Sequence, residues 1–246
     1  PGVEWTHSAQ DPAKLVRDFV KWDDTPVSLT HFAESLVRAY KIAMTPPMGP
    51  VVLIIDAELQ EGEVSHPAPK VPAYSPTVPP QGDPGALREA ARLLVNAEHP
   101  VILADLVART PAGMERLVAL AETLQAPVID RVGRLNFPTS HHLNHSGGAS
   151  ALLAEADVIL GLELTDFWGE VNELADVVHR EASRSARADV KLISLGVGDL
   201  FLKANYQNFQ RYQPVDLSIS GDAEATLPAL TEEVKRARSP GRRGQN

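Results

Sequence analysis

Three histidines, His141, His142 and His145, crowd one short stretch together with Asn144 and Ser146. Imidazole nitrogens are good zinc ligands, and histidines four apart meet on one face of a helix. Pro138, Asn144 and Gly147 mark the stretch as loop, and no carboxylate adjoins it, so a polar loop outweighs a metal site. Gly196-Val197-Gly198-Asp199 follows an apolar run and could wrap a phosphate, although a lone Gly-x-Gly more often makes a plain tight turn. Ser8 and Ser146 have histidines nearby, but neither sits in the strained strand-to-helix elbow that exposes a nucleophile. Asp166-Phe167-Trp168 could cover a pocket mouth, but reads more simply as a helix start. The chain has no cysteine, which excludes disulfides, thiolate metal sites and cysteine nucleophiles.

The elements that must position these residues are legible from pattern. Pro50-Val51-Val52-Leu53-Ile54-Ile55-Asp56 is a continuous apolar, β-branched run, as in a strand buried on both faces of a parallel sheet. Helices are expected over 11–20 and 29–44, the second carrying an apolar face of Phe32, Leu36, Ala39 and Ala43 and ended by Thr45-Pro46-Pro47. Prolines 67, 69, 72, 76, 79, 80 and 84 then make a stiff, extended connector. Asp83-Pro84 opens a new helix, with an N-cap carboxylate followed by a residue pre-set for the first helical position. Strands follow at 100–105, 127–130, 157–162, 190–195 and 215–219. Helices are expected from Thr110-Pro111, over 149–156, within 168–186, and from Gly221-Asp222 to about Arg236, with a frayed tail at 238–246.

Strand–helix alternation of this kind predicts an α/β fold with a doubly wound parallel sheet, Rossmann-like, preceded by a partial α/β domain. The expected organisation is a partial domain over 1–60, a proline-rich linker over 61–82 and a complete domain over 83–237. Too little chain precedes the linker for an ordinary α/β domain, so the chain reads as beginning inside one. Ligands of such sheets bind beyond the carboxyl ends of the strands, which singles out loops 105–110, 131–148, 163–169 and 196–203.

Composition narrows the class. A chain of 246 residues with 43% apolar and 22% charged residues has the make-up of a soluble globular protein. A formal net charge of −9 argues against nucleic-acid partners. No run approaches the ~18–20 apolar residues of a membrane span. Pro1-Gly2-Val3-Glu4-Trp5 carries no targeting pattern, so a cytoplasmic location is the default expectation.

The order of the pieces resembles thiamine diphosphate-dependent enzymes of the acetolactate synthase-like family. Thr45-Pro46-Pro47-Met48-Gly49-Pro50 through Asp56 is similar to the last helix and strand of that family's pyrimidine-binding domain. Ala90-Ala91-Arg92-Leu93-Leu94 through Ala97-Glu98-His99-Pro100-Val101-Ile102 resembles the start of its central domain. Ala154-Glu155-Ala156-Asp157 through Gly161, and Val215-Asp216 with Gly221-Asp222-Ala223, continue the pattern. The resemblance implies thiamine diphosphate and Mg2+ as cofactors of the intact enzyme, a 2-oxo acid substrate, lyase or transferase chemistry, and a homo-oligomer, dimer or tetramer. It also implies that the activating glutamate lies upstream of Pro1 and the Gly-Asp-Gly metal and diphosphate motif downstream of Asn246. The chain itself contains no Gly-Asp-Gly, so no catalytic residue and no metal ligand is expected in it.

Several family members hold FAD or another adenine nucleotide in the central domain, and here the chain departs from them. Asp105-Leu106-Val107-Ala108-Arg109 stands where relatives have a glycine-rich turn. Glu163 stands where FAD binders carry arginine, and Gly196-Val197-Gly198-Asp199 replaces an Asp-x-Asp-Pro turn. FAD is therefore doubtful. The residues left as candidates for a nucleotide or for loops beside the substrate channel are Gly133, His145, Gly147, Gly148, Glu163 and Gly196. Two other readings remain: a nucleotide-binding Rossmann-like module for FAD, NAD or ADP working with a partner chain, and an NAD-dependent deacylase, which lacks its Gly-Ala-Gly-x-Ser turn here.

Overall fold

The computed structural model describes residues 11–64, 67–176, 178–179, 181–200 and 211–239, and the chain divides between Val78 and Pro79 into two units. Trp5, Ser8, the end of the 196–203 loop and the tail from residue 240 lie outside the described residues.

In the first unit, β1 (Trp22–Asp24) and β2 (Val51–Leu53) pair in parallel, Trp22 opposite Val51, joined through helix α1 (Leu29–Met44). Ser28 caps α1 by accepting from the His31 amide at 3.1 Å. Lys21 donates to the carbonyls of Ile42 and Thr45 at the other end, satisfying groups the last helical turn leaves open. The expected helix over 11–20 is instead a pair of 3-10 turns, Pro12–Leu15 and Arg17–Phe19. Ala13 and Val20 are buried, but Leu15 is 77% and Phe19 64% exposed, and so short a helix needs packing along a whole face to persist. The run at 50–56 also shortens. Asp56 leaves the strand to cap the short helix α2 (Ala57–Glu61), and β2 is half-buried where burial on both faces was expected.

The second unit follows the pattern more closely. Helix α3 (Pro84–Asn96) starts at the Asp83 cap, whose carboxylate accepts from Ala86 at 2.9 Å. Thereafter come β3 (Pro100–Ala104), α4 (Pro111–Leu124), β4 (Val128–Asp130), α5 (Ala149–Glu155), β5 (Val158–Leu162) and α6 (Phe167–Val171). A helix expected within 168–186 ends after α6, where the chain turns into an antiparallel ribbon of β6 (Asn172–Asp176) and β7 (Glu181–Arg184). Exposed β7 has no apolar stripe for a helix to bury. β8 (Lys191–Gly196), β9 (Leu217–Ser220) and α7 (Ala223–Arg238) complete the unit.

Its main sheet has five strands, all parallel, in the order β4-β3-β5-β8-β9. Side chains alternate across it. Ile102, Ala104, Leu160, Leu162, Ile193 and Leu195 face a core shared with α3, α4 and α7. Val101, Leu103, Ile129, Ile159 and Leu192 face the opposite core, with Leu153 of α5 and Val171 of α6. Both faces are covered, which is why the strands read as unbroken apolar runs.

Candidate functional site

The order of the sheet locates the place to look. From β3 the chain adds β4 on one side and then β5 on the other, so the turns after β3 and β5 diverge at a topological switch point, where such sheets bind ligands. Here that crevice is bridged by the chain. Asp105 and Leu106 donate their amides to the carbonyls of Leu162 and Glu163 at 3.2 and 3.3 Å. The Asp105 carboxylate then accepts from the Thr165 amide at 3.0 Å and its hydroxyl at 2.6 Å.

Beside this bridge lies a buried charged network. Glu163 adopts φ 49°, a left-handed conformation that costs a residue with a Cβ on the order of 1 kcal/mol. The Glu163 carboxylate accepts from the amide of Val197 at 3.0 Å, after β8, and of Ala223 at 2.9 Å, at the start of α7. Gly196 gives this contact room, since a Cβ there would lie 3.0 Å from Glu163 Oε2 and 3.3 Å from its Cα. Arg109 makes a two-pronged ion pair with Asp222, whose side chain is wholly buried and also caps α7 through the Ala225 amide at 2.8 Å. Glu224 reaches back to α4, accepting from the amides of Arg109 and Thr110 and, at 2.8 Å, from the Thr110 hydroxyl. Burial pushes the Glu163 carboxyl up to about 7; Asp222 adds to that, while the two amides and Arg109 oppose it. Burial works against the Arg109 charge, but Asp222, Glu224 and Glu163 outweigh it and hold the guanidinium above its ordinary range.

A second knot closes the turn after β4. Asp130 accepts from the amides of Val132, Asn136 and Phe137. Asn136, fully buried, accepts from the amides of Val107 and Ala108 and donates to the Asp105 carbonyl at 2.7 Å. Arg131 pairs with Glu170, whose carboxyl is raised by burial against the pull of Arg131.

Of the six candidate residues, the structure brings Glu163 and Gly196 together. Gly133 packs against Asp105, where a Cβ would collide with the carboxylate. His145, Gly147 and Gly148 lie elsewhere, on the edge beyond β4, where the His145 amide donates to the Val128 carbonyl. Three strand spacings, ~14 Å, separate β4 from β8, so the six do not surround one ligand. His141 stacks on His142 at 4.5 Å and reaches Glu122 at 3.3 Å. Among the described residues no group of three His, Cys, Asp or Glu side chains could hold a metal ion. Sequence reasoning missed Arg109, Asn136 and Glu224 as site residues, and the only local signal was Asp222 standing at an N-cap. Arg109 and Glu224 are 115 positions apart, so no local pattern could join them.

The arrangement disfavours anions. The amides of Arg109 and Thr110 just ahead of α4, and of Ala223 and Ala225 in the first turn of α7, lie where such a fold receives phosphates, and they are taken by Glu224, Glu163 and Asp222. A diphosphate would meet carboxylates there, so the residues present do not fit thiamine diphosphate at this edge.

The model of the thiamine pyrophosphate enzyme central domain matches residues 87–230. The chain is 28% identical over 185 residues to the probable acetolactate synthase large subunit of Methanocaldococcus jannaschii, covering 65% of this chain and 31% of that protein. It is 33% identical over 165 residues to a sulfoacetaldehyde acetyltransferase of Rhodobacter capsulatus, covering 60% of this chain and 26% of that one. The chain thus spans a third or less of the length of these curated relatives. The crystal structure of benzoylformate decarboxylase from Polynucleobacter necessarius shares the fold, with a TM-score of 0.62 and 21% identity over 87% of this chain and 38% of that one.

Proposed function

Because the chain belongs to the thiamine pyrophosphate enzyme family, through that family's central domain, we propose that it forms the middle framework of a thiamine diphosphate-dependent lyase or transferase acting on 2-oxo acids. On this reading the groups that grip the cofactor and its Mg2+ belong to other parts of the enzyme. The working enzyme is a cytoplasmic homo-oligomer, and the contribution of this chain is to hold its loops in place. No described helix is long and apolar enough to cross a membrane. Residues 1–60, ahead of the proline-rich segment, correspond to the end of a pyrimidine-binding domain, and residues 83–237, after it, to a whole central domain.

The observation that carries the framework reading is the closure of the switch-point crevice by Asp105, Glu163 and Glu224, each bonded to amides or hydroxyls of the chain itself. It supports a central domain without FAD. A separate nucleotide-binding module is not favoured, since the family match spans the sheet that would do the binding. Calorimetric titration of the chain tests the proposal, with thiamine diphosphate plus Mg2+ in one series and FAD, NAD and ADP in others. The expected result is no saturable heat in any series and no turnover of pyruvate. Saturable thiamine diphosphate binding would show that the chain grips the cofactor by itself. Saturable FAD binding would return the domain to a nucleotide-holding role.

A further inference from the structure

The Glu163 carboxylate joins three segments that are remote in sequence. Its own residue follows β5, one oxygen accepts from Val197 in the turn after β8, and the other accepts from Ala223 in the first turn of α7. Charged groups face it from two of the packed segments: Arg109 ahead of α4, and Asp222 and Glu224 at the start of α7. The β8 turn presents Gly196 and Val197, which carry no charge, and its Asp199 is exposed. Arg116 of α4 donates to the Glu224 carbonyl at 3.3 Å, and Asp105 is engaged by Thr165. One guanidinium ion-paired with Asp222 thus serves a pocket with three carboxylates, and the surplus negative charge rests on amide dipoles.

We propose that Glu163 is a proton-operated latch between the carboxyl edge of the sheet and the N-terminus of α7. Ionised, it holds both amides in charge-assisted hydrogen bonds. When one proton passes from solvent to a carboxyl oxygen, that oxygen becomes a donor and a poor acceptor. One of the two amides is then released, and the turn after β8 loosens relative to α7. No other bond changes. The carboxyl titrates near neutrality because it is buried beside Asp222, so the latch works in a range where ordinary glutamates stay ionised.

The test is an NMR titration of the full chain from pH 5.5 to 8.5. The 13C shift of the Glu163 side-chain carboxyl reports its protonation, and hydrogen-exchange protection of the Val197 and Ala223 amides reports the latch. The expected result is a Glu163 midpoint near neutrality, with protection of at least one of the two amides falling about fivefold as the proton binds. The Leu192 amide, which donates to Asp216, serves as the control, and its protection does not fall as the proton binds. In Glu163→Gln, whose amide nitrogen cannot accept, protection stays at the low-pH level throughout. A Glu163 midpoint below pH 5.5 would overturn the proposal, as would unchanged protection of both amides while the carboxyl titrates. The unmodified chain decides between these outcomes even where the variant does not fold.

Discussion

Arg109 lies close to Asp222, Glu224 and Glu163, and its guanidinium is spent on Asp222, whose side chain has no contact with solvent. Breaking a buried pair from one side leaves an uncompensated charge. Arg109→Met is therefore expected to lower the unfolding free energy by about 3–5 kcal/mol. Adding Asp222→Asn, which keeps the N-cap acceptor, should recover much of that loss; urea unfolding of both variants measures it. Glu163 has the opposite sign. Its folded-state carboxyl is raised from 4.5 to about 7, so the folded chain binds this proton more tightly than the unfolded chain does. The resulting stabilisation is fully present below the unfolded value, shrinks as pH rises between the two values, and is gone above the folded one. A shift of that size corresponds to about 3 kcal/mol. Unfolding curves collected from pH 4.5 to 8 should show this downward slope, and Glu163→Gln should flatten it.

Helix α4 shows how an element's own rules yield to its neighbours. Thr110 caps it, accepting from the Gly113 amide at 3.1 Å, and Pro111 fills a first-turn position, as the sequence predicts. Gly113 stands in the first turn, although alanine is the better helix former. The reason is Glu224: a Cβ at Gly113 would stand 2.4 Å from its Oε2. Gly113→Ala is accordingly expected to destabilise by about 1–3 kcal/mol through overpacking, reversing the propensity effect. Thermal melts of this variant, alone and with Glu224→Ala, test the cause, since removing the carboxylate should remove the clash. In α1 Ala39 of the expected apolar face is buried while Leu36 of the same face is about half-exposed, so periodicity there marked the helix and only part of its burial.

At the scale of the molecule, the division between Val78 and Pro79 has a physical basis. Residues 67–78 form no helix or strand and are mostly exposed. The backbone from Pro80 onward instead joins the second unit: Asp222 donates its amide to the Pro80 carbonyl at 2.8 Å, and Gly82 donates to the Thr226 hydroxyl at 3.1 Å. The second unit also has a core on each face of its sheet. A chain beginning at Pro79 is therefore expected to fold alone and unfold cooperatively, as read by circular dichroism. Limited proteolysis of the whole chain should cut first within 67–78 and leave this fragment intact.

The α/β class, the five strands of the main sheet and the helix starts at Asp83, Thr110 and Asp222 were legible without coordinates. They rest on local causes: unbroken apolar runs from double burial, and capping side chains next to the helices they cap. The resemblance to thiamine diphosphate enzymes was legible for the same reason, being carried by the order of those local pieces. Glu163 stood out as an anion where a cation was expected, but its role did not. That role depends on Val197, Asp222 and Ala223 arriving beside it, 34 to 60 positions away, when the parallel strands come into register. The same holds for Arg109 and Glu224. Electrostatics between remote groups depends on distance and burial, and only the folded chain sets those.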